Sequence, residues 1–391
     1  MALKDRYLTR DILEDLREKM AFIGGPRQVG KTTLATGLVA GHFKQAAYYN
    51  WDNRADRRKI MSSEWPGGAD LIILDEVHKH KGWKRLIKGE YDKLKDRFKF
   101  LVTGSSRLDV YRRGGDSLQG RYHYHRLHPF SLAELLGKRN AVEPIKELHV
   151  AGKGAARDLA ALERFGGFPE PLMRQSPRAL RRWHNEKVER LFREDIRDVG
   201  AIRDLDSMRL LSDMLPGKVG SLLSTNSLRE DLSVSHQAVS RWLGILESFY
   251  YQFRIYPHAK GRFRAVRKEP KLYLWDWSEV GDEAARFENL VASHLLKLAH
   301  RLHDREGYKI DLRFLRDRSK REVDFLMVAG GKPWFAAEAK LGEEQPAASL
   351  KYFKDRLAIP FLYQVLRKPG VDKLIDGIRV VSADRFLAGL V

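Results

Sequence analysis

The residues from Gly25 to Thr32, Gly25-Pro26-Arg27-Gln28-Val29-Gly30-Lys31-Thr32, fit the phosphate-loop pattern G-x-x-x-x-G-K-[ST]. The chemistry is anion binding. Two glycines let the backbone curl so that successive amides, and the positive end of a following helix, face one point. Lys31 would reach the β- and γ-phosphates of a nucleotide, the Thr32 hydroxyl would bind Mg2+, and Thr33 would line the same loop. Further on, Leu71-Ile-Ile-Leu-Asp75-Glu76 is an apolar run ending in two carboxylates, the Walker B form. Asp75 would hold Mg2+ through water, and Glu76 would orient and deprotonate an attacking water. After a further apolar run, Thr103-Gly104-Ser105-Ser106 offers two serines, either of which could sense the γ-phosphate. Arg107, Arg112, Arg113 and Arg121 follow. An arginine beside a γ-phosphate stabilises transition-state charge and can come from a neighbouring subunit, and Arg121 is the first choice for that role. The others suit solvent or nucleic-acid phosphate equally well.

A second set of chemical residues lies near the C-terminus: Glu288, then Asp324, then Glu338-Ala-Lys340. This order and spacing match the PD-(D/E)xK nuclease core. There, a helix glutamate, a strand aspartate and an E-x-K strand converge on one edge. Strand alternation puts Glu338 and Lys340 on one face. Glu288, Asp324 and Glu338 would bind Mg2+, Lys340 would position the water, and Gln364 on the next strand would assist. A lattice of salt-bridged charges on strand edges is the alternative, and Glu322 beside Asp324 belongs to it.

These residues need elements to position them. Residues 21 to 23 read as a short buried strand and 31 to 39 as the helix after it, with an amphipathic helix over 7 to 19 leading in. Strands are expected at 46 to 51, at 71 to 75 and at 99 to 102. This alternation implies a parallel sheet with helices on both faces and the nucleotide beyond the carboxyl ends of the strands. In the middle, 208 to 215 reads as a helix. Residues 227 to 247 then read as helix, turn, helix with Ser235 as N-cap, followed by a wing over 250 to 256. In a DNA-reading version His236, Gln237, Ser240 and Arg241 would face the groove; otherwise the unit packs as a lid on a nucleotide site. Residues 258 to 268 are densely basic, either a phosphate-binding stripe or an exposed loop. Towards the end, strands are expected at 272 to 275, 313 to 316, 322 to 328, 335 to 340 and 361 to 366, with a helix over 281 to 298. Three domains follow: an α/β P-loop ATPase domain over 1 to 150, a helical and winged-helix domain over 151 to 265, and a restriction-endonuclease-like α/β domain over 266 to 391.

Composition narrows the partners. With 72 basic against 52 acidic residues the formal charge is +20, which points to a polyanion, nucleic acid first. There is no cysteine, so no disulfide frame and no thiolate metal site. No apolar run reaches the roughly 18 residues of a membrane span, and the charged N-terminus lacks a signal-peptide core, so a cytoplasmic protein is expected.

Taken together, GPRQVGKTTL, LDE, TGSS, S-L-x-G-R and the HPFSLAEL stretch at 128 to 135 resemble one family: bacterial and archaeal AAA-type ATPases with a C-terminal domain of unknown function. The resemblance implies ATP hydrolysis with Lys31, Thr32, Asp75 and Glu76 in the roles given above. The expected function is Mg2+-dependent ATP hydrolysis coupled to DNA binding or remodelling, in a homo-oligomer, with DNA repair or recombination as its setting. Two alternatives stand beside it: a DNA clamp whose C-terminal domain grips ends or junctions without cutting, and a signalling ATPase that binds protein.

Overall fold

The computed structural model describes residues 4–105, 118–152, 154–196, 204–258 and 269–391. The chain divides into two compact units, one of residues 1–128 with 248–250, the other of residues 129–247 with 251–391. The middle and C-terminal segments, separate domains on the sequence reading, thus share one unit.

In the first unit, α1 (Thr9–Asp15) leads into β1 (Met20–Gly24), followed by the phosphate loop and α2 (Lys31–Thr33). The helix runs on without a break through a wider π-helical turn, Leu34–Val39, and a 3-10 turn, Ala40–His42. Then come β2 (Ala46–Asn50), α3 (Arg54–Ser62), β3 (Leu71–Asp75), α4 (Trp83–Leu94), β4 (Lys99–Gly104) and β5 (Tyr122–Arg126). The strands form one parallel sheet in the order β2-β3-β4-β1-β5. β1 and β3 are buried along their whole length, which is why their sequences read as unbroken apolar runs rather than alternations. Aromatic residues fill one face: Phe22 stacks on Tyr122 with ring centroids 4.3 Å apart and also meets Trp83.

The register sets where the chemistry falls. Ile23 and Asp75 both pair with Thr103, Asn50 pairs with Asp75, and Gly24 pairs with Gly104 and Arg126. The carboxyl ends of all five strands therefore lie level, at the edge where the phosphate loop begins.

The second unit opens with α5 (Leu132–Leu135), which closes a capping box between Ser131 and Glu134. Helices α6 (Ala156–Phe165), α7 (Pro169–Arg174), α8 (Pro177–Arg190), α9 (Leu205–Met214), α10 (Thr225–Asp231) and α11 (His236–Ser248) follow. After them come β6 (Gln252–Pro257), β7 (Lys271–Leu274), α12 (Glu283–Glu306), β8 (Ile310–Arg316), β9 (Glu322–Ala329), β10 (Lys332–Lys340), α13 (Ala348–Leu357), β11 (Phe361–Leu366), β12 (Asp372–Ile375), β13 (Ile378–Ser382) and α14 (Ala383–Phe386). The sheet is mixed, in the order β12-β13-β11-β10-β9-β8-β6-β7. Leu350 and Phe353 of α13 pack with Leu326, Ala336 and Leu362 over one part of it.

The helix–turn–helix expected over 227 to 247 is present as α10 and α11. Ser235 caps as expected, its Oγ accepting from the Ala238 amide at 3.1 Å. The wing is corrected. β6 pairs with β7 on one edge and with β8 on the other, so it is an interior strand of the large sheet and not a free hairpin.

Candidate functional site

The first site is the edge where β1, β3 and β4 end. Gly25 follows β1 with φ +151, and a Cβ there would sit 2.5 Å from the Leu127 carbonyl oxygen, so only glycine lets the loop leave the strand beside β5. Pro26, Arg27, Gln28 and Val29 carry the turn, Gln28 in the left-handed region, and Gly30 precedes the helix. Lys31 is buried, and its Nζ donates to the carbonyls of Gly25 at 2.9 Å and Pro26 at 2.8 Å. Neutral carbonyls hold an ammonium less strongly than anionic oxygens do, so phosphate oxygens can replace them. Thr33 stands exposed at the start of the helix.

Asp75 ends β3, is 5% exposed, and is ringed by hydroxyls. Thr32 Oγ1 and the Tyr48 hydroxyl donate to its Oδ2 at 2.8 and 2.9 Å, and Thr103 Oγ1 donates to Oδ1. Burial and the Asp75 charge push the Tyr48 phenol well up, which keeps it a donor. The donor set suits Mg2+: one hydroxyl and one carboxylate meet at the mouth of a phosphate loop, where the nucleotide and water supply the remaining oxygens. Glu76 comes next, in the left-handed region at φ +56, a backbone state that costs energy and turns its side chain away from the strand's alternation. Its Oε2 accepts from Ser105 Oγ at 3.1 Å and lies 3.6 Å from His78 Nε2. Burial lowers the His78 pKa, leaving that ring neutral. Ser105 thus contacts Glu76, while Ser106, Arg107, Arg112 and Arg113 lie outside the described residues.

Arg121 lies away from the phosphate loop of its own chain. It precedes β5 and lies level with Met20, the opposite end of the sheet from the loop. That is about 16 Å away at the usual strand rise. There it forms a two-pronged pair with Asp92 at 2.7 and 3.1 Å. The arginine that β5 brings level with Gly24 is Arg126.

Three residues of this site went unread in the sequence. Tyr48 and Thr103 sit on the two strands flanking β3, Thr103 level with Asp75 and Tyr48 level with Ile73, two residues earlier on the same face, so the Asp75 ring could have been anticipated once the strand order was known. Arg6 left no local signal. Its buried guanidinium donates to the carbonyl of Val29 at 2.9 Å and to that of His128, bracing the loop from below.

The second set also converges. Asp324 and Glu338 lie on adjacent strands: the Asp324 amide donates to Glu338 Oε2, the Ala339 amide donates to Asp324 Oδ2, both at 3.1 Å, and Lys340 Nζ lies 2.9 Å from Glu338 Oε1. Glu288 reaches in from α12. Burial and the nearby Asp324 charge raise the carboxyls of Glu288 and Glu338 to about 7. Gln364 is corrected in role. Fully buried, its amide donates to the carbonyls of Glu343 and Gln345 and accepts from the Ala347 amide, so it pins the turn after β10 instead of facing a substrate. The sequence reading did not include Lys271, whose ammonium lies among Glu288, Glu322 and Asp324. A lone lysine opening a strand carried no signal.

Three family models match in order: an AAA domain over residues 17–136, a domain of unknown function (DUF8612) over 156–280, and another (DUF4143) over 284–386. An uncharacterized protein of Mycobacterium tuberculosis is 24% identical over 263 residues, 66% of this chain and 55% of the relative, so the chain spans about half the length of that protein. An uncharacterized protein of Methanocaldococcus jannaschii is 22% identical over 381 residues, 90% of this chain and 82% of the relative. Among solved structures, a RuvB variant of Thermotoga maritima is 17% identical with a TM-score of 0.33, covering 63% of this chain and 88% of its own. A DNA polymerase III gamma subunit-related protein of the same organism gives 12% and 0.28, covering 63% and 98%. Among the described residues no helix is long and apolar enough to cross a membrane. With its phosphate loop and parallel sheet, the segment matched over residues 17–136 is an AAA-type P-loop ATPase domain.

Proposed function

We propose that the chain hydrolyses ATP with Mg2+ and couples turnover to DNA binding. One observation carries the ATPase reading: Thr32 and Asp75 meet at 2.8 Å where a phosphate loop leaves its strand, with Glu76 one residue beyond. Backbone amides of residues 27 to 33 would hold the phosphates, and Lys31 would exchange its two carbonyl partners for phosphate oxygens. Thr32 and Asp75 would hold Mg2+, which when bound offsets the phosphate charge. Glu76, oriented by Ser105, would take the proton of the attacking water. The test is phosphate release by wild type, Lys31→Ala and Glu76→Gln. Loss in both, with nucleotide binding kept in Glu76→Gln, is expected; turnover surviving in Lys31→Ala overturns the assignment.

Two observations support DNA as the partner: the +20 charge, and the exposure of His236, Gln237, Ser240 and Arg241 along one face of α11. Binding of a duplex oligonucleotide should weaken steeply with salt, since each neutralised phosphate releases counterions. No affinity at low salt would favour the signalling reading instead. Homo-oligomerisation belongs to the same proposal: Arg121 lies far from its own chain's loop, so its expected role requires a neighbouring subunit. For the C-terminal strands, grip without cleavage is the favoured reading, because their carboxylates are already paired with cations of the chain.

A further inference from the structure

The likeness to a nuclease core implies a divalent metal on Glu288, Asp324 and Glu338. The arrangement of these residues does not fit one. Lys271 Nζ lies 3.0 Å from Asp324 Oδ1, 3.2 Å from Glu288 Oε1 and 2.7 Å from Glu322 Oε1. An ammonium has three protons to donate, and here each has its own carboxylate. Most of the remaining oxygens are engaged too. Asp324 Oδ2 accepts from the Ala339 amide, Glu322 Oε2 pairs with Arg316, and Glu338 is held by Lys340 and the Asp324 amide. The Tyr273 hydroxyl donates to Glu288 Oε1 at 2.6 Å. Among the described residues, no three His, Asp or Glu side chains are arranged to hold a metal ion.

The fold builds this in. Lys271 pairs with Ile255 in β6, and the next residues of β6, Tyr256 and Pro257, pair with β8. The lysine is thus delivered next to β8 and β9 from a strand outside the E-x-K set. The segment before α10 then closes over it: Gly220 donates to the Leu272 carbonyl at 3.1 Å, and Leu222 bridges to Lys271. Gly220 has φ +74, and a Cβ there would stand 3.1 Å from Glu288 Oε2, so bare backbone lies against the carboxylate. Lys271 is 2% exposed.

We propose that Lys271 is the resident cation of this cluster. Its ammonium holds Glu288, Glu322 and Asp324 together in the place a divalent metal would take, so the domain cuts no phosphodiester bond. Every residue involved lies outside the phosphate loop and Walker B, so the proposal stands or falls apart from the ATPase reading.

The test is Mn2+ binding, read by loss of the free-ion spin-resonance signal, in full-length Lys31→Ala protein without nucleotide, so that the phosphate loop does not report. Adding Asp324→Asn to this parent should change nothing. Adding Lys271→Ala should create one Mn2+ site per chain, at least tenfold tighter than any binding in the parent, and Asp324→Asn should then abolish it. A parent that already binds one Mn2+ lost with Asp324→Asn overturns the proposal. So does a folded Lys271→Ala protein that gains no site. If Lys271→Ala does not fold, the parent comparison decides alone, alongside plasmid incubated with wild type and Mn2+. Intact plasmid is expected; nicking that disappears in Asp324→Ala overturns the idea.

Discussion

Two lysines, each near acidic residues at strand ends, meet opposite fates in this chain. Lys31 donates to two backbone carbonyls, and the Asp75 carboxylate at the end of β3 accepts from hydroxyls. Lys271 donates to three carboxylates and is sealed under backbone. The two carbonyls on Lys31 are neutral and exchangeable, so a triphosphate with its metal can displace them. The second cluster already holds cations of the chain, so a metal ion entering it must displace the Lys271 ammonium. The identity of the residues does not separate a working site from a structural cluster; the charge of what they already touch does.

The comparison breaks first on Lys31. Lys31→Ala should lower the ATP turnover rate by roughly a thousandfold, the loss typical of a donor aimed at developing charge. Its melting temperature should stay close to wild type, because the two carbonyl hydrogen bonds given up are to neutral groups. A variant that unfolds instead would make Lys31 as structural as Lys271, and the contrast would disappear.

Lys271→Met should do the reverse. Three carboxylates lose their common partner, and breaking a buried ion cluster by removing one member costs about 3–5 kcal/mol. Urea unfolding should show that loss, and Asp324→Asn in the same background should return part of it, because the neutral amide no longer needs the ammonium. Additive losses in the double variant would mean that the two groups do not interact.

How much of this could be read beforehand follows from the same contrast. The phosphate loop, β3 with Asp75 and Glu76, and β4 were legible because their chemistry is local: consecutive residues, a buried strand, a turn. β11 matched its expected bounds for the same reason. The end of the sheet that Arg121 occupies was not legible because S-L-x-G-R names a neighbour in sequence, while register against Met20 decides that end. The wing failed because pairing of β6 with β8 is a long-range event with no mark in residues 250 to 256. Lys271 and Arg6 were invisible since each acts on residues distant in sequence, and a single basic residue is otherwise the commonest sign of a wet surface in so basic a chain.

His294 in α12 is a buried polar group of the second unit with both ring nitrogens hydrogen-bonded. Its Nε2 accepts from the Leu132 amide at 3.1 Å, and its Nδ1 donates to the Leu290 carbonyl at 2.8 Å, so the ring is neutral. Burial lowers its pKa to about 4. Between pH 6.5 and 4 the unfolded chain binds a proton that the folded chain refuses. Stability from this group is therefore present above pH 6.5 and falls as the pH drops towards 4, by on the order of 3 kcal/mol. Urea midpoints at pH 7.5 and 5 should show the decline, and His294→Gln should flatten it. An unchanged slope would place the acid sensitivity elsewhere.

The smallest effect concerns what an exchangeable site requires. If Lys31 is to trade its partners, the carbonyls and amides around it must stay still while it does so. Arg6 supplies that frame: its guanidinium ties the Val29 carbonyl of the loop to the His128 carbonyl beyond β5. Arg6→Ala should therefore loosen the pre-formed loop and raise the KM for ATP about tenfold, equivalent to one charged hydrogen bond's worth of preorganisation. The turnover rate at saturation should move much less, because bound nucleotide restores the loop. Arg6→Lys can keep one of the two carbonyls and should fall between. A drop in kcat with KM unchanged would show that Arg6 acts on the reaction itself, and the division between a replaceable inner set of partners and a fixed outer frame would have to be redrawn.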